Sequence, residues 1–268
     1  MTLLRLHHPQ PDIAVLELAG DGRLNLMSYA MLRELWHAAN ELQMNRSVRA
    51  VVVTGTTDAF SAGMNLKQDE IRNFEQYSVE ERLDIHASGA RACAAWEALD
   101  AVTICAVEGY CIGGGLAFAA ACDWRVASTS AQLEAPELRN GMNMSWQSIP
   151  RLVALIGPAR TRRLVMRAER IDSATALDWG LVDELAAPGE ALSIALAAAR
   201  GLLEMPVAPL RMSKRAINAA ALPLGQAVSY MDVDQYVLCQ STNFHRDAVD
   251  QFFARGAMTN GAVDTRQQ

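Results

Sequence analysis

The stretch that most constrains this chain is Ala106–Asp123, AVEGYCIGGGLAFAAACD. A β-branched run, Val102–Val107, leads into a turn with glycines at 109, 113, 114 and 115, and a run of small residues with helical character, Leu116–Cys122, follows. The order is strand, glycine turn, helix. Glycine lets the backbone approach a ligand with no Cβ in the way, and the first turn of a helix leaves N–H groups unpaired. Such a turn favours negative charge, either a phosphate or a carbonyl oxygen becoming an oxyanion. The spacing fits neither G-x-G-x-x-G nor G-x-x-x-x-G-K-[ST], which argues against a dinucleotide or P-loop site. A tight strand–helix connection without chemistry would show the same residues.

The 268 residues are 51% apolar, enough for a substantial core in one large domain or two small ones. No run of 18 apolar residues occurs, and the opening MTLLRLHHPQ lacks a basic segment followed by a long apolar one, so no membrane partner and a cytoplasmic location are expected. Five cysteines, at 93, 105, 111, 122 and 239, lie scattered in apolar stretches without a C-x-x-C pair, which fits buried thiols better than bridges or metal ligands. A net charge of −6 argues against nucleic acid, yet leaves room for an anionic small ligand held by local Arg and Lys.

Along the chain, Ile13–Leu18 and Arg49–Thr54 have strand composition. Between them Ser28 is placed to cap a helix running to Met44, with Leu32, Leu35, Trp36, Ala39 and Leu42 as an apolar stripe. His7 and His8 are expected at the surface. A second glycine-bearing turn, Asp58–Lys67, follows the second strand, and a long polar helical region, Gln68–Leu99, separates it from the first. His86 in that region reads as a packing or surface residue. Pro136-Glu137 has the form of a helix start with a capping acid. Helical stretches are predicted over Trp146–Ile156, Ala159–Met166, Ser173–Trp179 and Ala191–Met205, and a mainly helical C-terminal third completes the chain. Strand–helix alternation followed by helices suggests an α/β fold with a helical extension.

Four blocks together, Asp58–Lys67 (DAFSAGMNLK), Ala106–Asp123, Ala131–Glu137 (AQLEAPE) and Ala176–Asp183 (ALDWGLVD), resemble the crotonase family, the enoyl-CoA hydratase/isomerase group. The resemblance implies an α/β fold, a spiral of ββα units over about residues 1–200 with a helical trimerisation region over 201–268. It also implies a homotrimer or dimer of trimers, and a coenzyme A thioester as substrate with no metal and no cofactor beyond the CoA itself. In the family, two backbone N–H groups form an oxyanion hole; by position these are Met64 and Gly114. The CoA-facing loop falls on Ala62, Gly63, Asn65, Leu66 and Lys67, with Arg23 near the same end. Lys67 and Arg23 are candidates for phosphates or plain surface charges. Phe252 and Arg255 match a C-terminal Phe-x-x-Lys pattern that reaches a neighbouring subunit's pocket in some members, with Arg in place of Lys.

Hydratases of the family use two glutamates. Here the first position, lined up with the glycine turn beside Gly113, is Ala117, and the second is Glu137. Hydration needs one group to activate water and usually a second to manage the proton at Cα, whereas moving a double bond needs one carboxylate and an oxyanion hole. The resemblance therefore points to a single-glutamate isomerase; a hydratase that holds its water elsewhere and a catalytically silent acyl-CoA-binding protein are the alternatives. Glu134 is an extra acid near the site. After Glu137 the chain departs from the glycine- and proline-rich pattern of typical hydratases, and Asn143, Met144, Ser145, Trp146 and Gln147 are expected to bring bulk and polar groups toward the pocket.

Overall fold

The computed structural model describes residues 3–20, 22–251 and 254. Two strands, β1 (Leu4–Gln10) and β2 (Ile13–Leu18), form an antiparallel hairpin, and His7 and His8 are exposed on β1. Helix α1 (Tyr29–Met44) follows, capped where the sequence places the cap: the Ser28 side chain accepts from the Met31 N–H at 3.1 Å. Leu32, Leu35, Ala39 and Leu42 bury the expected stripe, but Trp36 is 40% exposed, because the helix buries Met31 and Ala38 instead and the apolar face turns away from Trp36.

Next come β3 (Ala50–Thr54) and β4 (Ala59–Ser61). The region 68–99 is not one helix. It breaks into a single turn, α2 (Asp69–Arg72), a 3-10 turn at Phe74–Gln76, and α3 (Val79–Glu97). The break is written locally: Ser78 and Glu81 form a reciprocal capping box that starts α3 afresh. The chain continues with β5 (Val102–Val107), β6 (Tyr110–Ile112), α4 (Gly114–Ala120), β7 (Trp124–Ser128), β8 (Gln132–Glu134), a 3-10 turn at Glu137–Asn140, and α5 (Ser148–Met166). Short elements β9 (Ile171–Asp172), α6 (Ser173–Trp179) and β10 (Glu184–Ala186) lead to α7 (Ala191–Leu202), α8 (Val207–Ala221), α9 (Gly225–Ser229) and α10 (Asp232–Gln240).

Among the described residues the strands make two sheets. The larger has the order β1-β2-β3-β5-β7-β10, parallel from β2 onward, and the smaller the order β4-β6-β8-β9. Each circuit of the chain lays one strand in the large sheet, the next in the small sheet, and then a helix: β3-β4-α3, β5-β6-α4, β7-β8-α5. This is the expected α/β spiral of ββα units. Central strands read as unbroken apolar runs because both faces are covered. Val51, Val53, Cys105 and Val107 face the helices α1 and α3, while Ala50, Val52, Val102, Ile104 and Ala106 pack on Ala191, Ala195, Ala199 and Leu202 of α7. A boundary at residue 200 would cut through α7, whose packing carries the core to Leu202.

Charged side chains tie the spiral together, with Glu108, Asp123 and Asp183 drawn from the sequence blocks and Arg125 and Lys214 from outside them. Arg125, 1% exposed, donates to the carbonyls of Ala119, Cys122 and Leu181 and pairs with Asp183 at 3.0 Å. Asp123 accepts from Thr103 and from Lys214, which reaches in from α8. Glu108 accepts the N–H groups of Gly189 and Ala191, capping α7. The cysteines are free, and Cys93, Cys105, Cys111 and Cys122 are buried as expected.

Candidate active site

The two glycine turns meet. Strand β4 delivers Ala62, Gly63 and Met64, and β6 delivers Gly113 and Gly114 beside them. A Cβ on Gly63 would lie 2.9 Å from the Ile112 carbonyl oxygen and 3.4 Å from the Gly114 nitrogen, and φ at Gly63 is +91°, so the contact requires glycine. Gly113, at φ +55°, turns the chain into α4 and leaves Gly114 at the first helical position. Met64 bridges Met27 through its neighbours: Met27 N–H donates to the Gly63 carbonyl and Asn65 N–H to the Met27 carbonyl. The Met64 N–H therefore points away from that partner, as alternation along an extended segment requires.

Both turns open on a cavity of about 530 Å3. Ala62, Gly63, Met64, Asn65, Leu66, Lys67, Gly113, Gly114, Ala117, Glu137, Met144 and Trp146, all expected from sequence, line it. Arg23 is not among the lining residues: it is 81% exposed in its side chain and holds Asp58 at 2.8 Å, since that carboxylate is its nearest opposite charge. Phe252 and Arg255 lie outside the described residues.

Glu137 sits directly after Pro136 at the start of a 3-10 turn, as the Pro-Glu pair predicts. Its carboxylate lies against Gly113, where a Cβ would come within 2.9 Å of Oε1. Its Oε2 is buried with no hydrogen-bond partner. Burial, with the nearby Glu134 charge adding to it, pushes the Glu137 carboxyl up to about 7. Glu134, the other acid on the cavity wall, is 1% exposed but fully engaged: Arg139 meets one of its oxygens at 2.8 Å and Arg170 the other at 2.6 Å. Both Glu134 oxygens are therefore already taken by guanidinium groups.

The segment after Glu137 only partly behaves as expected. Met142, Met144, Ser145 and Trp146 line the cavity, whereas Asn143 and Gln147 do not. These two hold α10 instead, through the Asn143 side chain to the Asp232 carbonyl and the Gln147 N–H to the Asp232 carboxylate. Trp146 and Gln147 both adopt left-handed backbone, φ +61° and +57°, so α5 begins at Ser148 rather than at 146. Buried Arg151 pins the pair by donating to both of their carbonyls and to Glu97. The Trp146 ring then slots between α3 and α4, 1.9 Å from a Cβ position on Gly89 and 2.7 Å from one on Gly114.

Several residues of the cavity wall escape sequence reading, among them Leu26, Met142 and the four that roof it. Tyr29, His86, Val233 and Tyr236 come from α1, α3 and α10 and close the cavity. The Tyr29 hydroxyl lies 2.6 Å from His86 Nδ1, and His86 Nε2 lies 2.9 Å from Gln240 Oε1. Burial holds His86 down at about 4, so it is neutral, the packing role anticipated for it. The one local signal was the placement of His86 and Gly89 three residues apart, on one face of α3.

Residues 9–259 match the family model for enoyl-CoA hydratase/isomerase, and the chain belongs to that family. It is 33% identical over 194 residues to a probable enoyl-CoA hydratase, EchA17, of Mycobacterium tuberculosis, covering 72% of each chain. In three dimensions it resembles an enoyl-CoA hydratase from Mycobacterium avium subsp. paratuberculosis with a TM-score of 0.84 at 21% identity, over 95% of this chain and 96% of that one. It also resembles a monofunctional enoyl-CoA isomerase from M. smegmatis, with a TM-score of 0.67 at 25% identity over 82% of this chain and 93% of that one.

Proposed function

We propose that this enzyme shifts the carbon–carbon double bond of an enoyl-CoA thioester, with Glu137 as its single proton shuttle. One observation carries the reading: of the two acids on the cavity wall, only Glu137 has an unpaired carboxylate oxygen, and it stands beside the turn that presents Gly114. Glu137 takes the proton from C2 of a 3-enoyl thioester. The electron pair left behind spreads onto the thioester oxygen and over the C3–C4 double bond. The N–H groups of Met64 and Gly114 receive that oxygen, and such donors stabilise an enolate more than the neutral thioester. The protonated Glu137 then returns its proton to C4, which leaves the double bond at C2–C3 and the carboxylate restored. A carboxyl with a value near 7 is matched to both halves of this cycle. The negative charge is met by backbone donors, so the scheme draws on CoA as part of the substrate and on no other cofactor.

The name of the 33% identical relative favours hydration as the second reading. Position 117 carries alanine, so water would need another holder on the cavity wall. A panel of 2-enoyl- and 3-enoyl-CoA thioesters separates the two. Isomerisation predicts conversion of 3-enoyl substrates, and Glu137→Gln should lower it at least ~10²-fold, the lower end of what a positioned base contributes, with thioester affinity nearly unchanged. Ala117→Glu should gain measurable hydration of 2-enoyl-CoA. Efficient hydration by the unaltered enzyme that survives Glu137→Gln would overturn the single-glutamate scheme.

We also propose a homotrimer or a dimer of trimers. Helix α8 buries only Lys214 among its fifteen residues, and Met212, Ile217, Leu224, Val228, Tyr230 and Leu238 expose apolar surface along α8 to α10.

A further inference from the structure

We propose that the acyl cavity is built for an acyl chain bearing a hydroxyl group, which docks on the Tyr236 hydroxyl at the open end of a buried chain running Gln240, His86, Tyr29, Tyr236. The inference rests on the reading of the cavity as an acyl-CoA site and names the substrate class within it.

Much of the cavity wall is hydrocarbon: Leu26, Leu66, Ile112, Ala117, Met142 and Met144. A site for a plain alkyl chain needs nothing else, and polar groups placed there are costly unless they are paired. Yet α1, α3 and α10 each contribute a polar side chain to this wall: Tyr29 is bonded to His86 with Gln240 behind it, and the Tyr236 ring packs 4.5 Å from the His86 ring with its hydroxyl interacting with that of Tyr29.

The hydrogen accounting shows what the network lacks. His86 is neutral, so one ring nitrogen donates and the other accepts. With Nε2 donating to Gln240 Oε1, Nδ1 accepts the Tyr29 proton. Tyr29 then has no second proton and meets Tyr236 as an acceptor, which uses the Tyr236 proton and leaves its lone pairs facing the cavity. Turning the Gln240 amide over reverses every bond, and the chain ends on a Tyr236 O–H instead. Gln240 Nε2 is itself buried without an acceptor, so neither orientation of the amide is enforced from behind. In both polarities Tyr236 is the unfilled end on the cavity side, while the Gln240 amide at the other end lies buried behind His86. A hydroxyl, which donates and accepts, completes the chain either way; a methylene completes neither. Burial and the Glu137 charge keep the Tyr236 phenol well above its usual range, so it remains protonated throughout the working pH range.

The test uses pairs of acyl-CoA thioesters of equal carbon count, one plain and one carrying a hydroxyl at successive positions from C5 outward. Saturated members give a dissociation constant by displacement, independent of turnover, and 3-enoyl members give kcat/KM. The expected result is a preference for one hydroxyl position of at least ~10-fold in both measures, because a buried polar group left unmatched penalises the plain ligand. Tyr236→Phe should erase that preference, and Tyr29→Phe, which cuts the chain one link back, should reduce it. Binding of plain and hydroxylated thioesters without preference, or a preference that Tyr236→Phe leaves intact, overturns the inference while the acyl-CoA reading stands. Failure to bind any thioester overturns the reading beneath it.

Discussion

Glu137 is one residue with two couplings to pH. As the proposed base it must be ionised, so kcat/KM should rise with pH through about 7 and then level off, and Glu137→Gln should flatten that limb. Its effect on stability has the opposite sign. The folded state holds this proton up to about 7, while an unfolded glutamate releases it near its ordinary 4.5. The stabilisation is therefore complete below 4.5 and is lost as pH rises through about 7. Thermal unfolding at pH 8 should show Glu137→Gln above the unaltered protein by on the order of 1–3 kcal/mol, the difference vanishing at pH 4. At this scale the sequence was informative where the proposed chemistry uses backbone groups or a missing side chain. Met64, Gly114 and Ala117 came from the family resemblance, which aligns positions whatever their side chains, and all three line the cavity. Tyr29, His86 and Tyr236 did not, because their meaning arises only when α1, α3 and α10 converge, and nothing local marks a tyrosine as a cavity residue.

At the scale of elements, local chemistry explains most boundaries. Ser28 starts α1 and the Ser78–Glu81 box starts α3. The left-handed pair Trp146–Gln147 is held by Arg151, one turn on in α5, and by Asp232 from α10, which is why the predicted start of α5 fell two residues early. Gly89 is the counterpart of that pair. Its missing Cβ is the space the Trp146 ring occupies, so Gly89→Ala should expel the ring and cost about 1–3 kcal/mol, the range of overpacking in cores. Gly201, in α7 with nothing within 4 Å of its Cβ position, serves as the control: Gly201→Ala should be neutral or stabilising by up to ~1 kcal/mol. Equal destabilisation of both variants in denaturant titrations would show that Gly89 does not make room for Trp146.

At the scale of the molecule, the pairing of β4 with β6 and of β3 with β5 across long intervals was not written in any local signal; family resemblance supplied only the spiral of ββα units that contains it. The exposed apolar residues of α8 to α10 should be covered by other copies, so sedimentation at micromolar concentration should show no stable monomer, and a fully active monomer would refute the proposed trimer. The place of α10 in the cavity wall has a consequence for biosynthesis. Trp146 leaves the ribosome about 90 residues ahead of Tyr236, and at ~5–20 residues per second that interval lasts roughly 5–18 s. For all of it, the spiral carries a trough of methionine, leucine and tryptophan that α10 has not yet roofed. The nascent chain thus passes through a stage in which its future cavity is an exposed greasy furrow, and a chaperone competing for that furrow competes with α10.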